Sequence, residues 1–369
     1  MRELNRYKVR MLLLLLMAVV LVACSDDSDK MEGETDTLHL VPYTHGRTEV
    51  SPSATRNVTL PSGYTDYKGP NTIGVFTTTT DGEAPAIRTF SYVNNQWNSQ
   101  VSVTNSKVYY LYGYMPVKED IHCEISQISG KDYSQGAVLT FTNLPPVLAE
   151  DFSVVSGVLQ VNSSNLDNEE GSLAAGNFRY DGKASGSNFV CLMLDHLYSA
   201  VQFKFLVKDT YNELRTIKLK KVEMMTDDQL TYPLTVTMKD QDQVGYEVSW
   251  GTGTTLSNDY NDYISLYTND DGETLSTSVE NATLVNGYFA PMSDVASKLK
   301  LRCTYDVYDK DVTTEHPDGN LVRENCTAVN KLSLTYGPNQ RTKLTLTVNP
   351  TYLYVLSDPD LDNPTIVVN

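Results

Sequence analysis

From Val201 onward the chain alternates. Val201, Phe203, Phe205 and Val207 fall on one side, Gln202, Lys204 and Lys208 on the other, with Leu206 the exception. A period of two belongs to a strand that lays one face on a core and the other toward water. The same beat returns late in the chain, where Leu344, Leu346 and Val348 alternate with Lys343, Thr345 and Thr347. In Lys107-Val-Tyr-Tyr-Leu-Tyr-Gly-Tyr-Met115 both parities are apolar, which predicts an interior strand covered on both sides. Other strand-type runs end at turn residues: 71–80 at Asp81-Gly82, 87–93 at Asn94-Asn95, 137–141 before Pro145-Pro146. Further strands are expected at 215–225, 231–238, 245–250, 262–267, 283–289, 299–308 and 328–335. Past residue 30 no apolar repeat of 3.6 is sustained over three turns, so the expected fold class is all-β.

Residues 162–187 are rich in Ser, Gly, Asn and acids and nothing in them alternates, the mark of a linker or a long surface loop. The amino-terminal end differs again. An unbroken apolar run over 11–23 follows Arg2, Arg6, Lys8 and Arg10, the layout of an export signal peptide. Thirteen residues reach only about 20 Å as a helix, short of the roughly 30 Å of a bilayer interior, so a permanent membrane helix is not expected. The run ends Leu21-Val22-Ala23-Cys24, which looks like a lipobox, with Cys24 the lipid-accepting first residue of the mature chain. An acidic stretch without apolar content follows and reads as a flexible tether. Next comes Thr37-Leu-His-Leu-Val-Pro-Tyr43, in which Leu38, Leu40 and Tyr43 are candidates for one face of a small strand. About 345 mature residues exceed what one core usually holds, which favours two β-sandwich domains. The expected division is a signal peptide over 1–23, a tether over 24–36, an N-terminal sandwich over 37–185 and a C-terminal sandwich with an extended tail over 186–369.

The chain carries a formal net charge of −17, and removing its leader takes four basic residues and one acid, leaving −20. A surface so acidic argues against nucleic acid as a partner. Besides Cys24 there are Cys123, Cys191, Cys303 and Cys326, without a CxxC pair, so neither a zinc site nor a redox motif is supported. Cys303 and Cys326 lie in two strand-like runs that an antiparallel pairing could join by a disulfide; four free buried thiols are the alternative.

Catalytic chemistry finds little footing. The histidines His39, His45, His122, His196 and His316 form no metal-binding pair, and His196 reads as a structural hydrogen bonder at a strand start. No GxSxG occurs, and Gly251-Thr252-Gly253 reads as a plain turn. The acidic runs around Asp167–Glu170 and Asp358–Asp362 lack calcium-loop spacing and read as solvated turns. No catalytic, cofactor or metal residue is expected, and the protein is expected not to be an enzyme. Trp97 is the one aromatic residue expected to be exposed, a candidate platform for a sugar or else an edge residue covering a sandwich.

Taken in order, several stretches resemble one family. The lipobox at Cys24, Asn71-Thr-Ile-Gly-Val-Phe76 followed by Lys107–Met115, the segment Asp195-His196-Leu-Tyr-Ser-Ala-Val201-Gln-Phe203, and the closing Tyr336–Val355 are together similar to the fimbrillins, lipoprotein subunits of type V pili. The resemblance implies two tandem transthyretin-like Greek-key β-sandwich domains, export to the outer membrane on a lipid at Cys24, and a surface-exposed, fimbrial location. It also implies cleavage after a basic residue by an Arg-specific surface protease, with release of the first strand. An edge so uncovered must be refilled, and a strand from another pilin subunit would refill it. Here the removable strand would be 37–43 and the cut would follow Arg47, or alternatively Arg56. The donated strand would come from 351–356 or 364–369. Other pilin subunits, the outer-membrane lipid before processing, and a host or bacterial surface receptor are the implied partners. The competing reading is a monomeric surface lipoprotein that binds a glycan or host ligand.

Overall fold

The computed structural model describes residues 34–45, 58–59, 64–80, 85–99, 101–166, 169–172, 176–227, 230–239, 245–255, 263–310, 312–317, 319–349 and 365–368. Most of these residues lie in strands, joined by turns and by short helical segments such as Asp209–Asn212 and Ser293–Ala296. The all-β expectation therefore holds. Cys24, Arg47, Arg56 and the span 350–364 lie outside the described residues.

The largest sheet runs Tyr64–Asp66, His39–His45, Phe189–His196, Ser153–Val161, Val108–Met115, Ile73–Thr78, Ile87–Val93 and Gln96–Ser99, with Arg179–Asp181 also paired to Val108–Met115. The strand apolar on both parities is interior, as its pattern requires: Tyr109 through Met115 are buried on both faces. Within it, Gly113 has no room for a side chain, because a Cβ would stand 2.2 Å from the carbonyl oxygen of Gly74 on the neighbouring strand. At the far edge, Asn94 and Asn95 adopt φ of 53° and 63° and join Val93 to Gln96 in a two-residue turn, the left-handed geometry that asparagine tolerates and a tight hairpin needs.

Besides the two-stranded pairs Thr35–Thr37 with Ser102–Thr104 and Val58–Thr59 with Gly171–Ser172, there are among the described residues three further sheets of four or five strands. One joins Cys123–Gln127, Gly136–Leu144, Leu230–Lys239 and Tyr246–Trp250. A second runs Val147–Leu148, Thr283–Phe289, Ser199–Val207, Arg341–Asn349 and Thr365–Val368. The third is Ile264–Thr274, Arg215–Thr226, Leu299–Asp309 and Leu321–Leu332. Ladders cross the position between residues 185 and 186, since Phe189–His196 pairs with Ser153–Val161 and Gly136–Leu144 pairs with Leu230–Lys239. One continuous apolar core extends from Leu38 to Val348 and includes Phe141, which meets both Tyr114 and Phe152 edge to face.

Three local expectations need correction. Residues 162–187 are not only surface loop: Phe178 and Tyr180 are fully buried, and Arg179–Asp181 joins the large sheet. Two aromatic side chains there anchor a segment whose other residues gave no alternation. The strand expected at 262–267 continues to Thr274, because its Asn269-Asp270-Asp271-Gly272 stretch is taken up as an irregularity in register, with Gly272 at φ 72°, on an exposed edge strand. Cys303 and Cys326 do lie on paired strands, yet no disulfide joins them. Cys303 stands opposite Ala328 and Cys326 opposite Tyr305. Such diagonal neighbours are about 7–8 Å apart at Cα, beyond the reach of a disulfide.

The leading strand and the cleft beside it

His39–His45 is the first long strand and the element on which the functional reading turns. It lies parallel to Phe189–His196 from His39 to Thr44 and antiparallel to Tyr64–Asp66 from Tyr43 to His45. Both faces are used. Leu38 and Leu40 enter the main core, whereas Tyr43 packs with Tyr64, Val161, Leu166, Cys191 and Met193 in a separate cluster that Val41 also joins. Tyr43 therefore faces away from Leu38 and Leu40, as the parity of a strand dictates and contrary to the expected single face. Pro42 sits in the middle of the strand with no N–H to give, and its carbonyl accepts from the Tyr67 amide at 2.9 Å.

Polar groups fasten this segment at both ends. At its start, Asp36 Oδ2 accepts from the Gly186 amide at 2.6 Å and from Asn188 Nδ2 at 3.1 Å. Burial works against the Asp36 charge, but hydrogen bonds from Asn188, Gly186 and Thr37 outweigh it and hold the carboxyl below its usual range. Asn188 is itself fully buried and accepts from Tyr180 Oη at 2.8 Å. At the other end, Nε2 of the buried His196 donates to the main-chain carbonyl of His45. Its Nδ1 faces Asp151 Oδ2 at 2.7 Å and Ser153 Oγ at 3.1 Å. Next door, Tyr64 Oη donates to Asp195 Oδ1, and burial followed by the Asp195 charge pushes the Tyr64 phenol up.

A serine, a histidine and an aspartate thus meet, but not as a nucleophile-activating set. Ser153 and Asp151 both address Nδ1, and the second ring nitrogen is spent on a backbone carbonyl. The expected structural role of His196 is what the geometry displays.

Alongside the strand lies a cleft of about 790 Å³, walled by residues 39–43, 66–68, 92, 95–97, 164–166 and 189. Trp97 is 7% exposed, so it is no open platform. It packs with two tyrosines, stacked with Tyr67 at 5.9 Å and 26° and tilted against Tyr92 at 5.4 Å and 49°. Burial pushes the Tyr67 phenol up to about 12. On the leading strand, His39 stacks on Phe189 at 5.0 Å.

The remaining candidates fall elsewhere. Thr365–Val368 pairs antiparallel with Arg341–Asn349, which is itself parallel to Ser199–Val207, so this part of the tail is folded onto the chain's own sheet. Gly251 donates to the Pro233 carbonyl in a turn after Trp250. Glu169 is not a solvated turn residue but is buried, accepting from Asn162 and Ser163. Among the described residues no group of three His, Cys, Asp or Glu side chains could hold a metal ion, and no helix is long and apolar enough to cross a membrane.

No protein-family model matches the chain, and no curated protein sequence matches it. Solved structures do. A fimbrial protein from Bacteroides vulgatus is similar at 13% identity, covering 90% of this chain and 98% of its own, with a TM-score of 0.40. A candidate cell adhesion protein from Bacteroides fragilis is similar at 10% identity, covering 90% and 97%, with a TM-score of 0.39. One of the same description from Bacteroides ovatus has 11% identity, coverage of 91% and 96%, and a TM-score of 0.37.

Proposed function

We propose that the protein is a non-catalytic structural and adhesive subunit of a type V pilus. In this reading it is exported as a lipoprotein through Cys24, carried to the outer membrane, and activated when an Arg-specific protease cuts after Arg47 or Arg56. The observation that carries the reading is the seating of His39–His45. The segment that the resemblance marks for removal is laddered into the large sheet rather than left as tether.

How it is seated fits a part that can be exchanged. Its antiparallel partner Tyr64–Asp66 covers only three residues, and Pro42 withholds one ladder donor. Loss of the strand would strip Leu38 and Leu40 from the core and leave the N–H and C=O groups of Phe189–His196 unpaired on that side. Such an edge recruits another strand, and a donor running parallel to Phe189–His196 with apolar residues on both faces would restore it. The tail of a neighbouring subunit is the donor, which requires Thr365–Val368 to leave its place beside Arg341–Asn349.

Deletion of 364–369 tests the assembly step. Extracts of cells carrying the intact chain should give SDS-resistant ladders when unboiled, and the deletion should abolish them. Ladders unchanged by the deletion would remove the tail from this role.

A further inference from the structure

We propose that the cleft beside the leading strand is a binding site for a neutral oligosaccharide. Binding in the cleft is independent of pilus assembly and is carried by three features taken together, whereas its effect on the leading strand rests on the function proposed above.

The first is size and shape. About 790 Å³ is in the range of small-molecule sites and accommodates several sugar rings. The second is the aromatic lining. Tyr67 stacks on the buried Trp97 and Tyr92 packs tilted against it, and both tyrosines are half-exposed, so they offer ring surface while Trp97 fixes their placement. The C–H faces of a pyranose pack on such surfaces, and the ring positions are held before any ligand arrives. The third is the polar complement. Asn95 and Gln96 are exposed at the turn that carries Trp97, and Asn165 lies on a second part of the wall. Side-chain amides both donate and accept, which is what a ring of hydroxyls requires.

Charge selects the ligand class. The chain carries −17 overall, and among the described residues that line the cleft the ionisable side chains besides tyrosine are one acid, Asp66, one lysine, Lys68, and the imidazole of His39. An anionic ligand would be repelled by the protein's field, and no group of acids is present to hold a cation. A neutral polyol is unaffected by either.

One consequence follows from the walls themselves. Residues 39–43 of the leading strand form part of the cleft, so only the form with that strand seated presents the whole site. A ligand that binds one form and not the other shifts the balance toward the form it binds. Occupation of the cleft therefore holds the leading strand in place.

The experiment uses the intact protein with maltohexaose, cellohexaose, xylohexaose and mannohexaose, read by tryptophan fluorescence and by hydrogen–deuterium exchange. The expected result is saturable binding of at least one of the four, with slower exchange across 39–43 and 92–97. Tyr92→Ala and Asn95→Gly should each weaken it about tenfold, the change that loss of one stacking or hydrogen-bonding contact of 1.4 kcal/mol produces. Asn95→Gly removes the amide yet keeps the turn, because glycine accepts the φ of 63° at that position. The proposal is overturned if none of the four binds, if binding survives both substitutions undiminished, or if the protected residues lie away from the cleft. Failure here leaves the ladder test of assembly untouched, and failure of that test leaves this one standing.

Discussion

His196 Nε2 donates to the main-chain carbonyl of His45, a residue 151 positions earlier in the chain. The bond ties the last residue of the leading strand to the last residue of the strand it lies against one place over. It is made by a side chain whose other nitrogen is braced by Asp151 and Ser153. Replacing His196 with Phe keeps a ring in the pocket and removes the donor. Taking the donor from this part-buried carbonyl, and the imidazole from beside Asp151, costs about 1–3 kcal/mol. Hydrogen exchange at 43–45 should quicken in His196→Phe, while exchange in Val108–Met115 should stay slow until global unfolding. Equal acceleration in both places would show that His196 supports the whole core and not this strand.

Acid should weaken the fold through a small set of carboxylates. Asp36 is held below its usual range by the hydrogen bonds described above. For Glu223, burial opposes the charge, but Arg302 at 2.7 and 2.9 Å and then Lys221 at 2.7 Å outweigh it and lower the carboxyl. A carboxyl depressed in the folded state stabilises it fully above the unfolded value, about 4 for these residues, and that contribution is lost as pH falls through the folded value. Urea midpoints of the wild type should therefore drop steeply below about pH 4. Glu223→Gln should lower the midpoint at pH 7 and flatten the drop. A variant curve parallel to the wild type throughout would contradict this account.

The four cysteines that follow the lipobox should all react as thiols. Cys191 and Cys303 are fully or nearly fully buried, and burial pushes the Cys303 and Cys123 thiols well up, which makes them poor nucleophiles in the native protein. Alkylation should thus be slow in the native state and complete in denaturant without reductant. Mass spectrometry that finds Cys303 and Cys326 protected until reduction would contradict the diagonal register of their strands.

Much of the architecture was legible because strand periodicity is local. Val201–Val207 and Val108–Met115 declared their faces residue by residue, and Asn94-Asn95 marked its turn by chemistry that only a left-handed geometry uses. What stayed hidden depends on distant partners. Nothing near His196 in sequence points to His45, and nothing near Asp36 points to Gly186 and Asn188. Phe178 and Tyr180 sit in a polar stretch whose average composition masked two buried rings. Of the two readings of Trp97, the edge residue covering the sheet holds and the exposed platform does not, because Tyr92 packs on it across the hairpin and Tyr67 reaches it from a distant segment that its own neighbourhood does not announce. The offset between Cys303 and Cys326 is a matter of register, fixed by bulges along Leu299–Asp309 and Leu321–Leu332 that the sequence does not announce.

The central claim is that the leading strand is held in place only until another chain supplies its replacement. Intact-mass and N-terminal reading of the protein within SDS-resistant polymers stripped from the cell surface tests it most directly. The account predicts subunits beginning at Thr48, or at Asn57, with residues 39–45 gone from the polymer. Polymers whose every subunit still begins at a lipidated Cys24 and retains that strand would contradict it.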